Sequence, residues 1–258
     1  MKDNFYIETY EKYREELNKS DFHKELQIIA YDTIKKPESN EGVIWIYAEL
    51  LSEHTRQLAN DINTFRRNLI KLNTWSKIII AYNENEKLNL IVEFIEPILV
   101  LIHDFPYSTN NRFIFALSHL CHQANRYILD EWKDDLPQDS KIKYKTMIKY
   151  CSNWTYCSNF LLSLKELSGE NYLIQTNEYR NRLHHRIPIQ TEIGLSSFMT
   201  RNINKNKKVS YSLGYIEPFT LNETVHFMTK QHSIMCKCFL EYENLLNHQI
   251  KKIDKVNN

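Results

Sequence analysis

Glycine and proline are scarce, with 4 Gly and 6 Pro in 258 residues. The residues that make sharp corners are therefore few, which disfavours folds of many short strands and favours long helices. No apolar run is long enough for a bilayer: the longest, Leu88 to Ile102, is interrupted by Glu93 and Glu96, whereas a span needs about 20 apolar residues. The five cysteines (Cys121, Cys151, Cys157, Cys236, Cys238) are odd in number and form no CxxC pair. That argues against a disulfide frame or a structural zinc site and for reduced thiols in the cytoplasm. Excess charge is missing too. With 33 basic and 32 acidic residues, no global field gathers a polyanion, so any such site is local. The opening MKDNFYIETYEKYREELNK has no apolar stretch of the secretory kind, so no signal peptide and a cytoplasmic location are expected.

What is present is an apolar complement of 42%, with 16 Tyr among the aromatics, enough for a folded core. Residues 4–19 and 21–36 read as helices, and Pro37 to Gly42 breaks the chain. From Ile44 the apolar positions run 44, 48, 51, 58, 62, 65, 69, 72, 79. This is the stepping of one core-facing helical stripe, and Thr55 and Ser76 are its polar exceptions. Further helices are expected over 87–103 with a kink at Pro97, over 110–130, over 141–167 closed by Gly169, and over 170–187 stopped by Pro188. Helical period is then lost. Two short strands are expected around the polar loop 201–207, as a β-hairpin near 195–215. Thr220 and Glu223 spell a capping box, which opens a last helix. Its stripe is Leu221, Val225, Met228, His232, Met235, Phe239, Tyr242, Leu246. The fold class is all-α: an antiparallel, up-and-down multi-helix bundle with a small hairpin. It is read as one domain over 1–258, with an N-terminal helical extension to about 40 and an insertion at about 189–218.

One segment carries chemistry. Arg180, Arg182, Arg186, His184 and His185 fall within seven residues, beside Glu178 and Asn181. On a helical wheel at about 100° per residue, Tyr172, Tyr179 and Leu183 share one side with Ile187 next to them. Arg180, His184, Asn181, His185 and Glu178 follow around an adjoining polar arc. Asn181 and His185 are an i, i+4 pair, so the amide is expected to hold one imidazole nitrogen and leave the other open. A neutral imidazole suits proton removal from a 2′-hydroxyl. A guanidinium suits a phosphate that gains charge in the transition state. One imidazole cannot be base and acid at the same instant, which points to a second copy of the site.

The string Glu178-Tyr179-Arg180-Asn181-Arg182-Leu183-His184-His185-Arg186 resembles the signature of the HEPN superfamily, an Arg and a His separated by four to six residues, often with a polar residue after the Arg. The resemblance implies a motif on a late helix of an all-α up-and-down bundle. It also implies a homodimer in which both motifs line one cleft. Many members are metal-independent endoribonucleases of toxin–antitoxin, CRISPR and phage-defence systems, so RNA as substrate and an antitoxin or other protein partner follow as expectations. So do the absence of a membrane partner and of any cofactor or metal. Carried over, Arg180 and His185 are the catalytic pair and Asn181 the polar supporter. Glu178, His184, Arg182 and Arg186 are possible supporting residues, with His184 outside the spacing. A second match, Arg112 to His119, lacks the polar follower and has a core-like interior.

Other readings of these residues stand beside this one. Arg180 to Arg186 also suits the negative end of a helix dipole. His232 lies on a core stripe, and His119 with His122 lacks a third metal ligand. The run from Arg201, with Lys205, Lys207 and Lys208, is either a solvated loop or an RNA contact. Three functions are therefore carried: a homodimeric endoribonuclease, a non-catalytic module of the same fold that binds a nucleotide or protein partner, and a purely structural helical protein.

Overall fold

The long apolar stripes become the long helices. A computed structural model describes residues 2–37, 42–203 and 207–257. Helix α1 spans Lys2–Lys19, α2 Phe22–Glu25 and α3 Gly42–Ile79. Helix α4, Glu84–Leu90, passes through a π-turn at Ile91–Ile95 into α5, Glu96–Asn125. Helices α6 (Tyr144–Cys151), α7 (Cys157–Glu166), α8 (Glu170–Gln175) and α9 (Tyr179–His185) follow. Strands β1 (Met199–Ile203) and β2 (Val209–Leu213) pair antiparallel, and α10 spans Leu221–Asn257. The fold is all-α with a small hairpin, as the sequence reading expects. No helix of the described residues is long and apolar enough to cross a membrane. Every apolar position of the expected α3 and α10 stripes is buried, and so is His232. The capping box is formed: Glu223 N–H donates to Thr220 Oγ1 at 3.1 Å, and Thr220 N–H donates to Glu223 Oε2 at 2.8 Å.

Five local expectations need correction. The helix expected over 21–36 stops after the single turn of α2, because Asn63 offers that backbone another partner: its side chain accepts from Ile29 N–H at 3.0 Å and donates to Ile29 C=O at 2.8 Å. The helices expected over 87–103 and 110–130 are one. Pro97 lies in the first turn of α5, where a missing N–H costs little, after the π-turn; Pro106 is carried inside the helix. The helix expected over 141–167 is broken between α6 and α7, and left-handed Ser168 (φ 52°), not Gly169, follows α7. The helix expected over 170–187 is also broken, with consequences for the site. In the hairpin, strand β1 runs on to Ile203, into the stretch expected as the polar loop 201–207.

The chain forms two compact units, each drawn from three separate stretches. One comprises Met1–Leu26, Arg67–Asp104 and Asn171–Lys230. Within it the Trp75 ring is stacked by Tyr13 (4.6 Å between centroids) and by Phe94 (5.2 Å), the latter from the π-turn. The other comprises Gln27–Arg66, Phe105–Glu170 and Gln231–Asn258. Its core holds all five thiols, each buried. Three of its buried hydroxyls are bonded: Tyr47 OH donates to Gln249 Oε1 at 2.8 Å, and Thr55 and Tyr242 share a bond of 3.1 Å.

Candidate functional site

The motif sits on α9, and a left-handed turn decides which way α9 faces. Helix α8 ends in a Schellman arrangement: Glu178 N–H donates to Leu173 C=O at 2.8 Å, and Asn177 N–H to Ile174 C=O at 3.1 Å. Asn177 (φ 48°) and Glu178 (φ 54°) are both left-handed. Asn tolerates this conformation better than most residues, and no Gly is needed. The turn resets the helical phase. Tyr172 and Tyr179 are buried as the wheel demands, but Leu183 is only half-buried and Ile187 is 61% exposed.

Two adjacent residues of α5, His103 and Asp104, receive α8 and α9. Tyr172 OH donates to His103 C=O at 3.1 Å. The Tyr179 ring stacks on the His103 imidazole with centroids 3.7 Å apart and planes 16° apart. Such a contact contributes about 0.5–1.5 kcal/mol beyond burial. His103 is buried, with neither ring nitrogen bonded among the described residues. Burial pushes it down to about 3, so it stays neutral. Burial pushes Tyr172 and Tyr179 up; a bond to Thr191 partly offsets the rise at Tyr179.

Asp104 is the centre of the polar cluster. One carboxylate oxygen, Oδ1, accepts from Arg180 Nε at 2.9 Å and lies 3.1 Å from His184 Nε2. A carboxylate can only accept, so His184 carries its proton on Nε2, and Nδ1 is left as the acceptor for chemistry. The side chains are partly open to solvent: 25% for Arg180, 41% for Asp104 and 37% for His184. At that exposure the Arg180–Asp104 ion pair contributes about 0–1 kcal/mol; the effect of both contacts is orientation. His185 is exposed, with its ring 6.2 Å from that of His184.

The structure brings together Arg180 and His184 but not Asn181 and His185. Among the described residues no hydrogen bond joins that pair. Helix α9 has only seven residues, and His185 is its last, so the expected bond has no turn beyond it to hold the ring in place. Arg182 ties the local structure together: its Nε donates to Asn177 C=O at 3.0 Å and Nη1 to Ser197 Oγ at 3.3 Å. Arg186 Nη1 donates to Glu178 Oε2 at 2.8 Å across the helix. Arg201, on β1, and Lys207 and Lys208, before β2, are exposed; Lys205 lies outside the described residues. Asp104 was missed in the sequence. Its signal was a lone acid in the apolar run Ile98 to Phe105, a place where a charge needs a partner.

Elsewhere, His119 Nε2 lies 3.2 Å from Asp139 and His122 Nε2 3.5 Å from Asp134. No group of three or more His, Cys, Asp and Glu among the described residues is arranged to hold a metal. The second Arg/His match is occupied otherwise, with Arg112 paired to the buried Asp61. Comparison with family models, curated proteins and solved structures finds no match to this chain.

Proposed function

We propose that this chain is a metal-independent endoribonuclease of the HEPN type, acting as a homodimer on RNA. The observation that carries the reading is the cluster on α9 and α5, where Asp104 holds an Arg and a His side by side with a second His next along the helix. His184 Nδ1, with its tautomer set by Asp104, accepts the proton of the 2′-hydroxyl as that oxygen attacks the adjacent phosphate. Arg180 keeps its charge and planar geometry and stabilises the phosphorane-like transition state. The 5′-oxygen leaves with a proton from a protonated imidazole, either His185 or a histidine of the second copy. The products are a 2′,3′-cyclic phosphate and a 5′-hydroxyl, with no bond to water in this step.

Single-stranded RNA incubated in EDTA tests this. Wild type cuts it, while the 2′-deoxy strand stays whole because it has no internal nucleophile. His184→Ala and His185→Ala each lower the rate by about 10²- to 10⁴-fold. If His184→Ala keeps full activity and His185→Ala has none, the Asp104-held ring is structural and His185 works with the second copy.

A non-catalytic module is the second reading, and one observation favours it. The contacts that orient Arg180 and His184 also clamp α9 onto α5, as the Tyr179–His103 stack does. On this reading the RNA stays intact, and Asp104→Asn lowers stability alone.

A further inference from the structure

The hairpin has two unlike faces. In the register Met199↔Leu213, Arg201↔Tyr211, Ile203↔Val209, directly opposed residues share a face. That face therefore carries Met199, Arg201, Ile203, Val209, Tyr211 and Leu213. The other carries Thr200, Asn202, Ser210 and Ser212, and Asn202 Nδ2 donates to Ser212 Oγ across it at 2.9 Å. All ten strand residues are exposed, including Tyr211 at 64%. By the same alternation Tyr215, 58% exposed, falls in phase with Tyr211. An apolar face of this kind needs an occupant.

Charge and ring chemistry indicate which. From Ile193 to Ile216 the sequence has no Asp or Glu and four basic residues, in a chain whose charges otherwise balance. Arg201 and Tyr211 stand directly opposite each other, with Cβ atoms about 5 Å apart in such a pair. Both groups are planar and both stack on nucleobases. Arg201 interrupts the aliphatic line between Met199 and Ile203, where a lipid-inserted face would keep it apolar. The hairpin is also tied to the motif helix through the Arg182–Ser197 bond.

We propose that this face is a platform for single-stranded RNA, with bases stacking on Tyr211 and Tyr215 and phosphates drawn to Arg201 and Lys207. It rests on the ribonuclease reading, because the strand it holds is the substrate of the α9 site. Sequence tolerance follows, since every base has a stacking face.

The test is fluorescence anisotropy of a labelled 2′-O-methyl oligoribonucleotide, which cannot be cleaved, with the full chain in EDTA. Tyr211→Ala weakens binding by about tenfold or more, while Tyr211→Phe, which keeps the ring, binds like wild type. Arg201→Gln weakens binding and lowers the slope of log affinity against log salt by about 0.7. Thr200→Ala, on the other face, changes nothing. Circular dichroism confirms that the variants fold. No binding by wild type, or equal binding by wild type and Tyr211→Ala, overturns the platform. So does RNA binding that ignores both variants while Leu213→Ser abolishes capture by phosphatidylglycerol vesicles or lowers the sedimentation coefficient, since the face then belongs to lipid or a second copy. Unmodified RNA run in parallel separates the two claims. Binding without cleavage sinks the catalytic reading and leaves the platform; cleavage with no loss of binding in Tyr211→Ala does the reverse.

Discussion

His103 and Asp104 are neighbours with opposite duties. One is buried and neutral beneath Tyr179; the other is half-exposed and charged between Arg180 and His184. Asp104 is a positioning residue, since it reaches the reacting atoms only through others. Asp104→Asn keeps the shape but loses the charge that selects the His184 tautomer. The rate of bound substrate is expected to fall roughly ten- to a hundredfold, the usual cost of losing an outer-shell partner. KM stays near wild type, because no substrate contact is removed. Steady-state kinetics on a fluorogenic RNA checks this, and a change confined to KM would count against the role. Arg180→Lys keeps charge but loses the planar fork, at a cost of about 2–4 kcal/mol in the transition state with little loss of affinity, read by single-turnover cleavage. At this scale the spacing in the sequence disclosed Arg180 and His185, while His184, outside that spacing, was named only as a supporting residue. The spacing did not disclose Asp104, because the contact joins residues 76 positions apart and no local pattern records such a pairing.

Among the elements, the break between α8 and α9 matters most. Asn181 and His185 stay i, i+4 within α9; the left-handed pair Asn177 and Glu178 sets which way α9 faces, with Arg180 and His184 against Asp104. Asn177→Gly is expected to be neutral or stabilising, and Asn177→Ala to cost about 1 kcal/mol, because only the latter adds strain at positive φ. Urea unfolding measures both. The break was hard to read because its residue is Asn rather than the usual Gly. The Asn63 bonds to Ile29 were hidden for a related reason: they replace local backbone bonds with contacts between residues 34 positions apart. The long stripes of α3 and α10 were legible because burial along a long helix repeats with the helical period and leaves a direct trace in the sequence.

At the scale of the whole molecule, the desolvated histidines, His103 and His232 buried and His54 half-buried, set an acid limit. Burial lowers His54 and His232 to about 4 and His103 to about 3. The folded chain keeps them neutral while the unfolded chain takes up protons below about 6.5. The stability they permit is therefore full above about pH 6.5 and is lost as pH falls towards 4, by up to about 1.4 kcal/mol per pH unit for each. Urea midpoints at pH 7, 6 and 5 should fall in order, and His103→Phe should flatten the decline. A flat profile in wild type would show that these rings are solvated. The homodimer belongs to this scale too: sedimentation of a strict monomer with full cleavage activity would remove the second copy from the mechanism. The claim on which the rest depends is the Arg180–Asp104–His184 chemistry, and single-turnover cleavage in EDTA tests it most directly, using a labelled RNA beside the same strand with 2′-deoxy sugars. The account predicts that wild type cuts the RNA to a 2′,3′-cyclic phosphate end, leaves the deoxy strand whole, and loses cleavage in Arg180→Lys and His184→Ala. Cleavage of the deoxy strand at the same rate, or arrest of RNA cleavage by EDTA, would contradict it.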